Sequence, residues 1–267
     1  MSATEHALHR LEQTLRQIGP MAIAVSGGVD SLTLAHVAHR SVPANSTMFH
    51  AVSPAVPGDA TARVKRHAEQ AGWQLQLINA GEYADPDYRR NPVNRCFYCK
   101  TNLYATIAQH TQQCMVSGAN LDDLGDYRPG LRAAEDYKVR HPFVEADIDK
   151  ATIRAIAHAL QLDDIAELPA APCLSSRIET GIPIQATDLR FVHQVEQLLK
   201  AELNPATVRC RVRQDGVHIE LDTATLNQLN SATRTAVAAL CQQAGHNPDP
   251  RFEPYRQGSA FLHAKPA

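Results

Sequence analysis

The residues best suited to chemistry lie in a short glycine-rich turn, Ser-Gly-Gly-Val-Asp-Ser at positions 26–31. The apolar run 22–25 before the turn predicts a buried strand, and an apolar-periodic segment after it predicts a helix. The glycines allow a tight turn with inward-facing N–H groups, and the helix dipole adds positive charge, so the turn suits a phosphate. We expect Ser26 and Ser31 to donate hydroxyls to phosphate oxygens and Asp30 to hold Mg²⁺.

The same six residues resemble the PP-loop of the ATP pyrophosphatases, which bind the β- and γ-phosphates of ATP and cleave between α and β. The turn does not contain the lysine of the ordinary P-loop, G-x-x-x-x-G-K-[ST]. The alternative is a structural turn that only joins a strand to a helix, as a lone Gly-Gly often does. Because the whole pattern follows a predicted strand, nucleotide binding is the better interpretation.

Three of the six cysteines form a second candidate site. Cys96 and Cys99 make a C-x-x-C pair before a predicted helix, and Cys173 lies in a proline-flanked loop. Such a pair is typical of redox dithiols and of zinc sites, but zinc usually requires a second pair, which the sequence does not contain. Three thiolates can bind three irons of a [4Fe-4S] cluster and leave the fourth iron open to sulfide or substrate. The alternative is three unrelated thiols, with Cys96 and Cys99 as a structural pair.

Basic side chains near the C-terminus form a candidate anion site. Arg209, Arg211 and Arg213 alternate along one predicted strand, so their side chains leave the same face. Aligned like charges repel unless an anion faces them, which favours a phosphate or carboxylate ligand, but a solvated basic edge explains them equally well. Glu196 and Glu220 are weak candidates for metal ligands. The residues predicted to bind a substrate phosphate are Lys100, Ser176, Arg177, Arg211 and Arg213.

Alternating strands and helices indicate how these residues are positioned. Residues 1–180 predict an α/β domain with a doubly wound parallel sheet, whose strands are expected at 22–25, 47–52, 74–78, 114–117 and, as a short addition, 139–144. Ligands of such sheets lie at the carboxyl ends of the strands, where Ser53 and Gly118 also fall. The predicted nucleotide-binding residues are therefore Ser26, Gly27, Gly28, Asp30, Ser31, Ser53 and Gly118.

The pattern changes after Gly181 and Pro183. Residues 181–267 predict a smaller α+β domain, with helices at 187–203 and 223–244 and strands at 207–213 and 217–221. Asp215-Gly216 between the two strands is a strong hairpin signal.

Composition limits the class of protein. The 267 residues include 26 basic and 28 acidic side chains, a balance that does not favour nucleic acid as a partner. No apolar run is long enough for a membrane span, and we see no secretory signal, so we expect a cytoplasmic protein. Cysteines in a reducing compartment are not expected to form disulfides.

Seven segments together resemble the LarE-type ATP-dependent sulfur transferases, and the match covers nearly the whole chain. They are the turn 26–31, the thiol pair with its flanks at 95–100, and the segments 120–130, 139–146, 172–177, 211–213 and 255–259. There are departures, since 178–181 replaces a common Pro-Tyr-Gly, 117–120 replaces Gly-Thr-Asn, and His141 replaces a serine. These departures leave the exact carboxylate substrate open.

The resemblance implies an N-terminal PP-loop domain, a C-terminal domain used in homo-oligomerisation, and sulfur insertion during biosynthesis of the nickel-pincer nucleotide cofactor. The implied substrate is pyridinium-3,5-biscarboxylic acid mononucleotide, whose carboxylates become thiocarboxylates. Some family members give up the sulfur of the cysteine that matches Cys173, and others hold a [4Fe-4S] cluster on three cysteines and take sulfur from sulfide or a donor protein. Cys96, Cys99 and Cys173 together indicate the cluster type. The alternatives are a tRNA thiolase with the same ATP chemistry and a non-catalytic interaction protein that binds ATP or an iron–sulfur cluster.

Overall fold

The computed structural model describes residues 2–125, 128–170, 172–256 and 258–259. Asp126 and Tyr127, part of the family-like segment 120–130, lie outside the described residues. The chain divides into two compact units, and each is described by itself. The first contains the described residues of Met1–Glu82 and Cys96–Ala171, and the second those of Tyr83–Arg95 and Pro172–Ala267. Residues 83–95 and 172–180, which the sequence pattern assigns to the first domain, therefore belong to the second unit.

The first unit is built on a four-stranded parallel sheet flanked by helices, as predicted for the α/β class. Its strands are β1 (Met21–Ala24), β2 (Ser46–Ala51), β3 (Gln74–Ile78) and β4 (Cys114–Ser117), in the spatial order β3-β2-β1-β4. The helices of the chain up to residue 166 are α1 (Ala3–Ile18), α2 (Val29–Ser41), α3 (Gly58–Ala71), α4 (Pro86–Arg89), α5 (Arg95–His110), α6 (Pro129–Asp136), α7 (Pro142–Glu145), α8 (Lys150–Ala159) and α9 (Asp163–Ala166). Of these, α4 lies within the second unit.

Strand β1 has both faces covered, as a central parallel strand should. All four of its residues are buried. Met21 and Ile23 contribute to a core that includes buried residues of α1, α2 and α8, while Ala22 and Ala24 contribute to one that includes Tyr104 of α5. Because β1 is central, the loop that follows it opens at the middle of the sheet's carboxyl edge.

The predicted short strand at 139–144 is wrong. Only Arg140 forms a bridge, pairing with Val116 of β4 through hydrogen bonds on both sides. Pro142 then begins the short helix α7, because proline lacks the N–H a strand needs but fits the first turn of a helix.

The second unit contains a three-stranded sheet with helices. Its elements after residue 180 are α10 (Ala186–Leu203), β5 (Val208–Arg213), β6 (Gly216–Leu221), α11 (Thr223–Leu226), α12 (Ser231–Gln243) and β7 (Arg251–Pro254). Strands β5 and β6 form the antiparallel hairpin predicted at Asp215-Gly216, and β7 pairs with β6 in parallel. The predicted continuous helix 223–244 is wrong, because the chain breaks after α11 and Asn230 starts α12 by accepting a hydrogen bond from the Thr233 N–H.

The two faces of this sheet differ in chemistry. One face carries apolar side chains, with Val208 and Cys210 of β5 opposite Leu221 and Ile219 of β6, and α10 packs against β5. The charged side chains of β5 lie on the other face, as their alternation predicts. Among the described residues, no helix has both the length and the apolar character needed to cross a membrane.

Candidate functional site

The glycine turn follows β1 directly and opens into α2. Gly27 has a φ of +88°, and a Cβ placed on it would lie 2.9 Å from the carbonyl oxygen of Ala60. Only glycine meets both conditions without strain. Gly28 precedes α2 in an extended conformation, and no side chain of the described residues caps the first N–H groups of that helix. The turn therefore presents backbone donors at the positive end of a helix dipole.

The two serines of the turn have different roles. Ser31 is buried, and its hydroxyl accepts a hydrogen bond from the Ser26 N–H at 3.1 Å and donates one to the Gly28 carbonyl at 3.2 Å. Ser26 is exposed, with its hydroxyl 3.1 Å from that of Ser31. The buried hydroxyl fixes the shape of the turn, and the exposed one faces solvent where a ligand can reach it.

Gly118 brings the end of β4 against the first turn of α2. A Cβ on Gly118 would lie 3.0 Å from the carbonyl carbon of Asp30 and 3.0 Å from the nitrogen of Ser31. The Ser117 hydroxyl lies 3.0 Å from Nδ1 of His141, and burial lowers the pKa of that histidine. Gly118 is thus placed beside the turn, as the position of β4 in the sheet predicts.

Asp30 has a partner that the sequence pattern did not reveal. The Lys150 ammonium donates to both oxygens of the Asp30 carboxylate, each at 2.6 Å. Lys150 is the first residue of α8, and its backbone N–H donates to the Asp122 carboxylate at 2.8 Å. Both side chains of the pair remain about one-third exposed, at 34% and 29%. A lysine far away in sequence therefore stands at the turn.

The loop after Gly118 is held by its own polar side chains. The Asp122 N–H donates to the Asn120 side chain, and the Asn120 N–H donates to the Asp123 carboxylate, each at 3.1 Å. Arg128 pairs with Asp123 at 2.8 Å. These bonds fix the loop that positions the start of α8. Ser53, predicted beside the nucleotide, lies just after β2, where its hydroxyl accepts from the Ala55 N–H at 3.2 Å.

The predicted cluster ligands are distributed over both units. Cys96 is exposed and Cys99 half-buried in the first turns of α5, whereas Cys173 is half-buried in the second unit, just before a short 3₁₀ turn at Leu174–Arg177. Lys100 follows on α5, 5.8 Å from the centre of the Tyr104 ring. Among the described residues, no group of three or more His, Cys, Asp or Glu side chains is placed to hold a metal ion.

The other three cysteines differ from these in environment. Burial raises the pKa values of the Cys114 and Cys210 thiols, and it raises that of Cys241 to about 11, so all three stay protonated at neutral pH. All six cysteines are described, and none forms a disulfide bond. Cys210 and Cys241 are fully buried, so a cluster cannot reach them, whereas Cys96, Cys99, Cys114 and Cys173 are exposed or half-buried.

Arg177, predicted to bind a substrate phosphate, is buried in an ion pair. Its guanidinium donates to both oxygens of Glu196 at 2.8 and 2.9 Å, and to the Pro172 carbonyl and the Ser176 hydroxyl at 2.9 Å. Both charged side chains are about 5% exposed. Arg177 therefore ties the loop around Cys173 to α10.

Arg211 and Arg213 also have carboxylate partners. Glu220 lies on the adjacent strand β6 and is fully buried, and it accepts from Arg211 at 3.0 Å and from Arg213 at 2.6 Å. Arg213 also donates to Glu253 of β7 at 3.0 Å. Carboxylates of the same unit therefore pair with these arginines, for which the sequence had allowed an external anion. Phosphate binding by Arg211 and Arg213 stays a prediction. Glu196 and Glu220 act here as partners of arginine.

The sequence alone could not show Lys150 as a partner of Asp30. It is a single lysine after a helix-capping aspartate, and no spacing links it to the turn. The signal that could have revealed it is topological, since α8 follows β4 and packs against α2.

Three known proteins are similar to this chain over most of its length. No family model matches the chain. It is 35% identical over 228 residues to the uncharacterized protein slr1717 of Synechocystis sp. The aligned region covers 84% of this chain and 84% of that protein. It is 27% identical to the uncharacterized protein MJ0830 of Methanocaldococcus jannaschii over 75% of this chain and 77% of that protein.

A third relative carries a functional name. The chain is 27% identical over 228 residues to the pyridinium-3,5-bisthiocarboxylic acid mononucleotide synthase of Lactiplantibacillus plantarum, covering 81% of this chain and 79% of the synthase. This similarity supports the LarE-like assignment, and the synthase is an enzyme. The chain therefore belongs to the family of the Synechocystis protein slr1717, a family with LarE-like relatives.

Proposed function

We propose that this protein is an ATP-dependent sulfurtransferase that adenylates a substrate carboxylate, releases pyrophosphate, and replaces one carboxylate oxygen with sulfur. The observation that carries the proposal is the glycine turn between β1 and α2, whose backbone donors and exposed Ser26 hydroxyl suit the phosphates of ATP. The name of the L. plantarum relative supports thiocarboxylate formation as the overall reaction.

Asp30 fits a magnesium ligand by its chemistry. Mg²⁺ in nucleotide sites takes one or two carboxylates and completes its shell with phosphate oxygens and water. The Asp30 carboxylate stands in the first turn of α2, partly exposed, where bound phosphates would lie beside it. The bound ion would neutralise charge on the leaving pyrophosphate.

The chemistry explains why ATP is needed. A carboxylate is a poor acceptor for sulfur because the group that must leave is oxide. In the proposed first step a carboxylate oxygen attacks the α-phosphorus of ATP, and the bond to the β-phosphate oxygen breaks, giving an acyl adenylate and pyrophosphate. In the second step sulfide adds to the acyl carbon and AMP leaves with the former carboxylate oxygen, so the product is a thiocarboxylate. The turn would stabilise the pyrophosphate by its N–H groups.

Cys96, Cys99 and Cys173 would hold a [4Fe-4S] cluster, which when bound supplies an iron with an open position for sulfide. Their thiol chemistry suits iron, and solvent reaches all three, whereas Cys210 and Cys241 are fully buried. Arg211 and Arg213, together with Lys100, would bind the phosphate of a nucleotide-like substrate.

The proposed substrate is pyridinium-3,5-biscarboxylic acid mononucleotide, the dicarboxylate that corresponds to the thiocarboxylate named for the L. plantarum synthase. The proposed setting is a cytoplasmic homo-oligomer that receives sulfide or sulfur from a donor protein. Neither the tRNA thiolase nor the non-catalytic interaction protein is favoured by the relatives.

The test is pyrophosphate release by anaerobically purified protein with ATP, Mg²⁺ and candidate carboxylates. We expect release to depend on the carboxylate and to be lost in Asp30→Ala, whereas Asp136→Ala, a change of another helical aspartate, should retain it. Release stimulated only by tRNA would establish the thiolase instead. Absence of release with every acceptor, together with binding of ATP, would contradict the proposed reaction and favour the non-catalytic alternative.

A further inference from the structure

The peptide unit between Gly27 and Gly28 is the part of the turn with the least conformational restraint of its own. A glycine stands on each side of it, so no Cβ opposes its rotation. The C=O and N–H of a planar trans peptide point in opposite directions. A half-rotation of this unit would therefore exchange an N–H donor for a carbonyl oxygen, which repels phosphate. Anion binding by the turn thus requires that this unit be held in one orientation.

Arg63 of α3 contacts this peptide unit from outside the turn. Its guanidinium donates to the Gly27 carbonyl at 2.8 Å. The Gly28 N–H, on the opposite side of the unit, donates to no acceptor among the residues that the structure describes. It lies at the start of α2, where the helix dipole favours an anion. Arg63 acts from a fixed position, because α3 is anchored by buried Val64 and Ala68.

The peptide unit between Val25 and Ser26 shows the contrast. The Val25 carbonyl accepts a hydrogen bond from Nδ1 of His50 at 2.8 Å, and the Ser26 N–H donates to the Ser31 hydroxyl at 3.1 Å. Both polar groups of that unit are therefore satisfied inside the protein. In the unit between the glycines only the carbonyl is satisfied, so its N–H is left for a ligand.

We propose that Arg63 is a positioning residue of the glycine turn: it holds the Gly27 carbonyl away from the ligand and thereby directs the Gly28 N–H at a phosphate oxygen. A hydrogen bond from a charged donor is stronger than one from a neutral donor. It also polarises the peptide unit, which strengthens the N–H donor on the other side. The inference rests on the proposed nucleotide site and names a residue that acts on it through the backbone.

The first test is calorimetric titration of inorganic pyrophosphate with Mg²⁺ into the full chain. We expect Arg63→Met to weaken binding by about 10- to 100-fold, the effect of losing one charged hydrogen bond, and Arg63→Lys to recover most of the affinity. Arg66→Met is the matched control, because it removes the same charge from the same helix and breaks only a half-exposed ion pair with Asp164. It should bind as the wild type does. Thermal melting of each variant checks that it is folded.

Salt separates orientation of the peptide from attraction at a distance. In roughly 0.5 M KCl an attraction between separated charges is screened, whereas the loss caused by a rotated peptide unit persists. The ratio of the wild-type affinity to that of Arg63→Met should therefore stay the same at low and high salt. A ratio that falls to one at high salt would overturn the inference.

Nuclear magnetic resonance reads the orientation without any ligand. Gly27-Gly28 is the only Gly-Gly pair in the sequence, so glycine labelled with ¹³C at its carbonyl and with ¹⁵N gives one HNCO signal, from this peptide unit. In the wild type and Arg66→Met the signal should show no exchange on the microsecond-to-millisecond timescale. In Arg63→Met it should move and show relaxation dispersion, because the unit then samples both orientations. An Arg63→Met signal at the wild-type position without dispersion would contradict the proposal.

The outcomes separate this inference from the proposed function. If the wild type binds pyrophosphate and Arg63→Met binds it equally well, the inference alone fails. If the dependence on Arg63 is found but no carboxylate is converted to a thiocarboxylate, the inference stands and the proposed reaction fails. If the wild type binds no pyrophosphate, both fail.

Discussion

Alanine at Gly27 should damage both the fold and the turn, because two independent costs coincide there. An L-residue at a φ of +88° costs roughly 1–2 kcal/mol. The added Cβ would also lie 2.9 Å from the Ala60 carbonyl oxygen, and relieving such overpacking costs about 1–3 kcal/mol. We therefore expect Gly27→Ala to lower the free energy of unfolding by about 2–5 kcal/mol.

Two other glycines separate these costs. Gly72 has a φ of +68°, and a Cβ added there would meet no atom within 4 Å, so alanine carries only the conformational cost of about 1–2 kcal/mol. Gly118 has no positive φ, but its Cβ would lie 3.0 Å from the backbone of Asp30 and Ser31, so alanine there carries only the packing cost of about 1–3 kcal/mol.

The assay is urea unfolding of the three variants, followed by pyrophosphate titration of each under folded conditions. Gly27→Ala should be the least stable, and both it and Gly118→Ala should bind pyrophosphate at least tenfold more weakly than the wild type. Gly72→Ala, away from the turn, should bind normally. If Gly27→Ala matched Gly72→Ala in both stability and affinity, the close approach of the turn to Ala60 would not matter and the reasoning would be refuted.

Three further predictions concern other groups. Arg177→Met should lower the free energy of unfolding by about 3–5 kcal/mol by leaving Glu196 buried without its partner, and Arg177→Met/Glu196→Gln should recover part of it in urea unfolding; equal stability of the two variants would contradict this. Burial lowers the pKa of His36 to about 4, below its unfolded value near 6.5, so the unfolded chain binds more protons between those pH values. Stability should therefore fall by roughly 1–3 kcal/mol from pH 7 to pH 4, and His36→Gln should show a smaller fall in urea midpoints across this range; an unchanged pH dependence would contradict the assignment. Cys173→Ser should lose iron and visible absorbance after anaerobic reconstitution, whereas Cys210→Ser, at a buried protonated thiol, should keep both; equal iron contents would end the cluster proposal.

The central strand and its turn were predictable because local signals agree there. Four apolar residues, two glycines and a helical period all indicate the same strand–turn–helix unit, and the structure places β1, the turn and α2 accordingly. The segment 139–144 was mispredicted because Val139, Phe143 and Val144 favour a strand, while Pro142 favours the start of a helix.

The partners of the charged residues were not predictable. The alternation of Arg211 and Arg213 gave their face correctly, but the Glu220 that neutralises them comes from the next strand in a register that only the folded hairpin defines. Glu196 reaches Arg177 from a helix, and Lys150 reaches Asp30 from α8. Charged residues that meet only through tertiary structure have no characteristic spacing in the sequence. The residue types therefore predicted an anion-binding surface but did not reveal the carboxylates of the same chain that neutralise it.

The most direct test of the account follows the carboxylate oxygen. The dicarboxylate substrate is prepared with ¹⁸O at all four carboxylate oxygens and incubated with ATP, Mg²⁺ and a sulfur source. The AMP and phosphate products are then analysed by mass spectrometry. Adenylation followed by sulfur transfer predicts one ¹⁸O atom in AMP for every thiocarboxylate formed. Thiocarboxylate formation with unlabelled AMP, or with ¹⁸O in inorganic phosphate and ADP as the other product, would contradict it.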